Sequence, residues 1–387
     1  MKPQIKICYI ATIHRTLNAF VLKTAQFIHE NTDWDISFIC NDDREWADSL
    51  PEYFHYFPVD MNRGLSFSFK TERQIYNILK KEQFDLVQFC TPNASLYTAL
   101  AAARAKVPVR LYCQWGIAYV GFAGWKRKIL KLEEKFVCSR ATVIEPDSSS
   151  NLHFAFAEGL YKKEKGHVIW NGSACGVDLN KYDISNREAY RRKIREGLGI
   201  PKDAFVFGFV GRINKDKGIT ELFRSFKMMQ ETSKDSYLIL VGRDERSDDA
   251  DNNLNQWADK NDRIIFTGFS DKVEQYMSAM DCYVLPSYRE GFGLSVVEAE
   301  AMGLPVIVTD IPGPIDAMEE GKTGVVVPKK DTEALYEAMA DLYEDEQKRI
   351  AFGNAGPAFA KDNFEQQELF SRILEDRKEL IRRAVNR

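Results

Sequence analysis

Two glutamates that flank a glycine-rich turn are the residues of this sequence best suited to ligand chemistry. Glu290 precedes the turn, and Glu298 lies eight residues later on a predicted helix whose face is otherwise apolar. The turn contains Gly291, Phe292, Gly293 and Leu294. Glycine lets the backbone approach a phosphate, and a helix N-terminus favours negative charge. A carboxylate on an apolar helix face needs a partner, such as two hydroxyl groups of a ligand. The alternatives to ligand binding are that Glu298 forms a buried ion pair and that Glu290 is an exposed turn residue.

Two cations follow another predicted strand, Phe205–Val210. Arg212 comes directly after Gly211, and Lys217 precedes the glycine that opens the next helix. Two cations beside a helix N-terminus suit an anion such as a diphosphate. When this turn is taken alone, solvated loop charges explain it slightly better. In open parallel sheets, ligands bind beyond the carboxyl ends of the strands, where both turns are expected.

The two motifs together resemble a known enzyme family. E-G-F-G-L-S-V-V-E and the upstream G-R-x-x-x-x-K-G are similar to the motifs of the retaining glycosyltransferases of family 4, bacterial surface-polysaccharide type, with the GT-B fold. The resemblance implies that Glu298 binds the ribose hydroxyls of a nucleotide-sugar and Glu290 the donor sugar. Arg212 and Lys217 would bind the diphosphate, and Arg212, Lys217 and Glu290 would be the catalytic residues.

The same resemblance implies the rest of the donor site. Backbone amides of the glycine-rich turn would face the sugar and phosphates, and a UDP-sugar is the expected donor. Further donor-binding residues are expected at Gly211, Gly242, Arg243, Gly268 and Phe269. GT-B enzymes usually need no metal, so we expect neither a metal nor another cofactor. The D-x-D stretches Asp33–Asp35 and Asp249–Asp251 are interpreted as solvated turn charges.

The N-terminal half departs from the family pattern. Many relatives have a glycine pair after the first strand, where this chain has Ala11 to Thr16 without glycine. Many also have a histidine that touches the donor sugar, and Trp115 stands in its place. Either that contact is lost, or another residue such as His14 supplies it. We therefore name His14 and Trp115 as candidates for acceptor binding.

Apolar runs that alternate with amphipathic segments predict an α/β protein with parallel sheets. About a dozen strand–helix repeats favour two doubly wound Rossmann-like domains facing a central cleft. We place an acceptor-binding domain at residues 1–186 and a nucleotide-sugar-binding domain at residues 187–365. The resemblance implies that the helix 366–387 packs back on the first domain.

The strands predicted in the first half are Ile5–Ile10, Asp35–Cys40, Leu86–Cys90, Val109–Cys113, Ala141–Ile144 and His167–Trp170. Those predicted in the second half are Phe205–Val210, Tyr237–Val241, Ile264–Phe266, Cys282–Pro286, Val306–Val308 and Gly324–Val327. The last helix predicted before residue 366 is Thr332–Tyr343.

Composition limits the class of partner. The chain has 387 residues and a formal net charge of −4, so nucleic acid is not an expected partner. The seven cysteines include no C-x-x-C pair and are typical of buried thiols in a cytoplasmic protein. Neither a signal peptide nor a membrane span is predicted.

The segment 124–140 is predicted to be a helix with an apolar stripe and a basic face. The stripe consists of Trp125, Ile129, Leu132 and Phe136, flanked by five lysines and arginines between residues 126 and 135. One interpretation is a core-facing helix with solvated charges. The other is peripheral contact with anionic lipid at the inner face of the cell membrane, where a lipid-linked acceptor would be reached.

We therefore expect a hexosyl- or N-acetylhexosaminyltransferase that uses a saccharide or lipid-linked acceptor in surface-polysaccharide or glycolipid synthesis. The alternatives are a nucleotide-sugar-binding protein without transferase activity and a GT-B epimerase. A dinucleotide-dependent dehydrogenase is excluded because no G-x-G-x-x-G follows the first strand.

Overall fold

The computed structural model describes residues 4–61, 67–233, 235–246 and 251–386. The chain forms two compact units: Met1–Cys175 with Gln367–Arg387, and Gly176–Gln366. We call them unit 1 and unit 2. The boundary predicted after residue 186 lies inside unit 2, because the connecting segment that begins at Gly176 packs there.

Unit 1 contains a six-stranded parallel sheet with the order β3-β2-β1-β4-β5-β6. Its strands are β1 Lys6–Ile10, β2 Asp35–Cys40, β3 Phe54–Pro58, β4 Leu86–Phe89, β5 Val109–Gln114 and β6 Val143–Pro146. Its first seven helices are α1 His14–Phe20, α2 Leu22–Glu30, α3 Arg44–Ser49, α4 Phe69–Glu82, α5 Pro92–Ala105, α6 Gly124–Arg140 and α7 Ser149–Ala157. The central strands are buried because helices cover both faces of the sheet.

One strand prediction in unit 1 is wrong and one strand was missed. His167–Trp170 forms no strand; only the neighbouring Gly166 makes an isolated bridge, with Ile144. The sixth strand is instead the edge strand β3, which pairs in parallel with β2. Most of its residues are partly or fully exposed, so it lacks the continuous apolar run that identified the central strands.

Unit 2 repeats the design, with the strand order β12-β11-β10-β7-β8-β9. Its strands are β7 Phe205–Val210, β8 Ser236–Val241, β9 Ile264–Gly268, β10 Cys282–Leu285, β11 Val306–Thr309 and β12 Gly324–Val327. Its helices are α8 Arg187–Leu198, α9 Ile219–Thr232, α10 Asn252–Asp259, α11 Val273–Ser278, α12 Leu294–Ala301, α13 Thr332–Glu344 and α14 Glu346–Phe364. The prediction of two doubly wound domains is confirmed by these two sheets.

The last helix, α15 Gln366–Val385, packs on unit 1. Leu374, Leu380 and Ile381 belong to the same apolar cluster as strand β1. Arg377 is also buried, and its guanidinium forms two hydrogen bonds with the Glu145 carboxylate on β6. The helix therefore closes one face of the first sheet with both apolar and ionic contacts.

Candidate functional site

The predicted donor motifs meet at the point where the strand order of the second sheet reverses. Strand β7 lies between β8 and β10, so the chain leaves β7 toward one side and returns to the other side at β10. The turns after β7 and β10 therefore lie next to each other at the carboxyl edge. This reversal point is where open α/β sheets bind ligands.

An ion pair joins the two turns. The Lys217 ammonium contacts Oε1 of Glu290, and both side chains are largely buried. The Ser287 hydroxyl donates a hydrogen bond of 2.7 Å to the same oxygen. Gly218 permits this close approach, because a Cβ there would lie 1.9 Å from the Pro286 carbonyl oxygen. Lys217 is thus held by a carboxylate, and its remaining N–H donors are available to a ligand.

A second contact between these turns was not anticipated from the sequence. The Arg289 guanidinium pairs with the Asp216 carboxylate at 2.8 Å. The Tyr288 backbone N–H donates to the Asp216 carbonyl, also at 2.8 Å. Asp216 and Arg289 adjoin Lys217 and Glu290 in sequence, so these contacts fix the spacing of the predicted catalytic pair. The charges were visible in the sequence, but their pairing was not.

The glycine-rich turn leads into helix α12 as predicted. Gly293 is the N-cap residue in the left-handed conformation, with φ of 95°. The Phe292 side chain is buried and its ring packs 5.1 Å from that of Phe364, so Phe292 offers a ligand its backbone alone. Gly313 closes behind the turn, where a Cβ would lie 2.5 Å from the Gly291 carbonyl oxygen. The turn therefore presents backbone groups to a ligand at the N-terminus of α12, and Gly313 packs against its other side.

Arg212 lies at the same edge but in a more open environment. Its guanidinium forms a 3.1 Å ion pair with Glu245, and the two side chains are 55% and 41% exposed. Exposed ion pairs of this kind contribute only about 0–1 kcal/mol to stability. A diphosphate would therefore replace Glu245 as the partner of Arg212 at little cost in free energy. Glu245, which follows β8, is another residue that sequence reasoning missed.

The three further glycines predicted to bind the donor, Gly211, Gly242 and Gly268, lie at the ends of β7, β8 and β9. The Gly211 N–H donates to Val241, and the Gly242 N–H donates to Gly268, each at 2.9 Å. Next to this row the Arg243 guanidinium lies 5.4 Å from the centre of the exposed Phe269 ring. These residues form one contiguous edge beside Arg212.

Glu298 lies on helix α12 and is half-buried. Desolvation raises the pKa of its carboxyl, whereas the Tyr182 side chain and the Lys181 charge lower this pKa. The role of Glu298 in binding ribose hydroxyls stays a prediction.

The two candidate acceptor-binding residues in unit 1 lie after strands β1 and β5. His14 opens α1; its Nδ1 lies 3.0 Å from the Asp43 carboxylate and its ring stacks on Trp46. Trp115 is half-buried, and its ring lies 5.5 Å from that of Phe20. Both positions have packing partners that explain them, so their role in acceptor binding stays a prediction.

Among the described residues, one group has the spacing of metal ligands: Glu145, His167 and Asp376 in unit 1. The Arg377 guanidinium already supplies a cation there, since it contacts both carboxylates. Asp251 caps helix α10 and pairs with Arg224, which agrees with a turn charge. Asp249 lies outside the described residues.

Comparisons with known proteins agree with this fold. The family model of glycosyl transferases group 1 matches residues 190–359, and that of glycosyl transferase 4-like domains matches residues 6–148. The capsular polysaccharide biosynthesis glycosyltransferase CapM of Staphylococcus aureus is 29% identical over 376 residues, which is 96% of each chain. The UDP-Gal:alpha-D-GlcNAc-diphosphoundecaprenol alpha-1,3-galactosyltransferase of Escherichia coli is 28% identical over 334 residues, 84% of each chain.

Solved structures show the same architecture. Anabaena HepE in complex with UDP aligns with a TM-score of 0.76 at 20% identity, over 97% of this chain and 100% of that chain. WaaG, a glycosyltransferase involved in lipopolysaccharide biosynthesis, aligns with a TM-score of 0.73 at 16% identity, over 96% and 98% of the two chains. Within the described part of the chain, every helix is too short or too polar to cross a bilayer. The two family matches together span most of the sequence, and the chain belongs to the family 4-like, group 1 glycosyltransferases with the GT-B fold.

Proposed function

We propose that this glycosyltransferase moves a hexose or N-acetylhexosamine, with retention of anomeric configuration, from a UDP-sugar to a saccharide or lipid-linked saccharide. The observation that carries the donor half is the Lys217–Glu290 pair at the strand-order reversal, beside the backbone amides that open α12. Relatives named for polysaccharide synthesis and for a diphosphoundecaprenol acceptor support the acceptor half.

The donor site performs its chemistry by stabilising the leaving group. Cleavage of the sugar–phosphate bond builds negative charge on the departing diphosphate. Arg212, Lys217 and the N-terminus of α12 would bind this charge, and Glu290 would bind hydroxyls of the sugar while it holds Lys217. Preorganised donors of this kind each lower a barrier by about 2.7–4 kcal/mol. These roles need no metal or other cofactor.

The exposed stripe of α6 supports peripheral contact with an anionic membrane at its cytoplasmic face. Trp125 and Leu132 are 65% and 67% exposed, and Ile129 is also exposed. Lys126 and Lys128 are exposed beside the stripe. An apolar face flanked by exposed cations matches the chemistry of an anionic lipid surface.

The test begins with the donor. Thermal unfolding of the protein is measured with UDP-, GDP- and ADP-sugars. A ligand at 100 times its Kd raises the free energy of unfolding by about 2.7 kcal/mol, so the sugar nucleotide that binds is identified by the shift in Tm. The stabilising sugar is then used in a transfer assay with a lipid-linked saccharide, and the anomeric configuration of the product is read by NMR. We expect transfer from a UDP-sugar with retention.

Two variants and three outcomes decide the assignment. Arg212→Ala should lower kcat by about 10²–10³, whereas Arg192→Ala, an exposed change on α8, should not. Tight donor binding without transfer would favour a binding protein, and release of an epimerised nucleotide-sugar would favour an epimerase. Normal turnover by Arg212→Ala would refute the donor-site assignment.

A further inference from the structure

A fully buried serine contacts the carboxylate that is predicted to bind the donor sugar. The Ser287 hydroxyl donates a hydrogen bond of 2.7 Å to Oε1 of Glu290. The Ser287 carbonyl in turn accepts a hydrogen bond from the hydroxyl of Thr309, the last residue of β11. Ser287 and Thr309 are 0% and 2% exposed. The Glu290 side chain is therefore tied to the edge of the second sheet through a buried serine.

Oε1 of Glu290 receives two donors of different kinds, and they constrain it differently. The Lys217 ammonium also contacts this oxygen, but it is a compact charge at the end of a flexible four-carbon chain. The Ser287 hydroxyl is attached to Cβ, so its position follows the backbone that the Thr309 hydroxyl holds. Hydrogen bonds depend on angle as well as on distance, whereas the attraction between two charges depends on distance alone. The serine thus supplies the directional part of the hold on Glu290, and the lysine supplies the charge.

Other contacts of the same turn hold the residues that precede the glutamate. The Tyr288 hydroxyl donates a hydrogen bond to the Glu221 carboxylate on α9. The Arg289 guanidinium pairs with Asp216 in the turn after β7. These contacts fix the path of the chain around the glutamate, whereas the Ser287 hydroxyl contacts its carboxylate directly. Loss of that hydroxyl would therefore change the orientation of the carboxylate and leave the turn in place.

We propose that Ser287 is a positioning residue of the donor site, which orients the Glu290 carboxylate toward the hydroxyls of the donor sugar. The inference rests on the proposed function of Glu290 and extends it to a buried residue that acts through this carboxylate. It divides the donor site into two parts. The diphosphate is bound by Arg212, Lys217 and the N-terminus of α12, whereas the grip on the sugar depends on Ser287. Removal of the Ser287 hydroxyl should therefore impair transfer and leave nucleotide binding intact.

The experiment compares the full-length wild type with Ser287→Ala and Ser287→Cys. Calorimetry measures the Kd of UDP, which lacks the transferred sugar, and a transfer assay measures kcat with the UDP-sugar that most stabilises the protein against thermal unfolding. In Ser287→Ala, kcat should fall about ten-fold, the order expected when a hydrogen bond to a charged group is lost. The Kd of UDP should stay at the wild-type value. Ser287→Cys keeps a weaker donor of similar size, so its kcat should lie between the other two.

Ser225→Ala is the matched control for loss of a buried hydroxyl. Ser225 on α9 is also 0% exposed, and its hydroxyl donates to the Thr332 carbonyl at 2.8 Å. Each alanine variant removes one buried hydroxyl and one hydrogen bond from unit 2, so both should lower the free energy of unfolding in urea. Ser287→Ala should lower kcat as well, and Ser225→Ala should not. An equal loss of kcat in the two variants would reduce the effect of Ser287 to a loss of stability and overturn the positioning role.

A double-mutant cycle tests whether Ser287 acts through Glu290. In the Glu290→Ala variant the carboxylate is absent, so the further change Ser287→Ala should alter kcat little. Two residues that act independently would instead lower kcat by the same factor in both backgrounds. Binding of UDP shows that each variant is folded. If Glu290→Ala does not fold, the comparison of Ser287→Ala with Ser225→Ala decides the question alone.

The outcomes separate the inference from the proposed function. Normal turnover by Glu290→Ala would refute the sugar-binding role of Glu290, on which the inference rests. If Glu290→Ala loses turnover, a wild-type kcat in Ser287→Ala would overturn the positioning role alone. Weaker UDP binding by Ser287→Ala, or an equal loss of kcat in both backgrounds, would overturn it too. A loss of kcat that requires Glu290 and spares UDP binding would establish it.

Discussion

Lys217 and Glu290 form an ion pair although 73 residues of chain separate them. Strands β7 and β10 bring them together, and the Asp216–Arg289 pair fixes their spacing. The carboxylate that would bind the sugar is therefore also the group that holds the cation for the diphosphate.

We expect Glu290→Gln to separate catalysis from nucleotide binding. The substitution removes the negative charge, so the Lys217 ammonium becomes more available to the diphosphate, and UDP should bind at least as tightly as in the wild type. Contacts to the sugar are weakened, so kcat should fall by about 10²–10³. Calorimetry with UDP and a transfer assay measure the two effects. Glu333→Gln, an exposed change on α13, is the control and should alter neither UDP binding nor kcat. Loss of UDP binding by Glu290→Gln would contradict the view that Glu290 both binds the sugar and holds Lys217.

We expect binding to lipid vesicles through α6. Binding to phosphatidylglycerol vesicles should exceed binding to phosphatidylcholine vesicles and should weaken as salt rises. Lys126→Glu and Lys128→Glu should each cost about 1 kcal/mol or more of binding free energy, and Leu132→Ser should weaken binding further. Ile350→Ser, at an exposed apolar position of unit 2, is the control. Co-sedimentation without lipid preference would exclude this surface as the contact.

The choice of lysines for these charge reversals follows from the ion pairs of α6. Lys131 and Arg127 both contact the Glu158 carboxylate, at 2.6 and 3.5 Å, so these two cations are already paired within unit 1. Reversing either charge would also disturb the packing of α6 against its neighbours. Lys126 and Lys128 are exposed beside the apolar stripe, and their substitution therefore reports on lipid binding with less effect on the fold.

We expect Arg377→Met to destabilise unit 1 strongly. The Arg377 side chain is 1% exposed and contacts the carboxylates of Glu145 and Asp376. Removal of one partner leaves a buried charge without compensation, which typically costs about 3–5 kcal/mol. Urea unfolding followed by tryptophan fluorescence measures the loss. Arg383→Met, an exposed change on the same helix, should cost far less, and the double variant Arg377→Met/Glu145→Leu should recover part of the stability. A single variant as stable as the wild type would contradict the ionic anchoring of α15.

We expect Glu300→Gln to make the protein more stable at alkaline pH. Glu300 is fully buried, and desolvation raises the pKa of its carboxyl well above 4.5. The folded protein therefore binds a proton that the unfolded chain releases. This contribution to stability is complete below pH 4.5 and is lost as the pH rises toward the folded pKa, by up to about 1.4 kcal/mol per pH unit.

The measurement is the free energy of unfolding from about pH 5 to about pH 9, a range that begins just above the ordinary pKa of a glutamate. The difference between Glu300→Gln and the wild type should grow with pH over this range. Glu337→Gln, at an exposed position of α13, should give curves parallel to the wild type. Parallel curves for Glu300→Gln as well would show that Glu300 is ionised in the folded protein.

Most of the strands could be predicted because buried parallel strands are continuous apolar runs. All six strands of unit 2 were placed correctly within a few residues. Edge strand β3 was missed because its residues are largely exposed, and His167–Trp170 was wrongly assigned because an apolar run also occurs in packed loops. Helix α14 was not predicted, and it contains Pro357, a residue that normally argues against a helix interior.

Local sequence patterns were sufficient for the backbone requirements of the donor site: the glycines of its turns, the helix that begins at Leu294, and the residue types of the two motifs. These features depend on backbone conformation and on spacing along the chain. Two relationships emerged only from the folded chain: which charges pair, and that Trp125, Ile129 and Leu132 of α6 face outward. They depend on strand order and on the packing of distant segments, which local patterns do not encode.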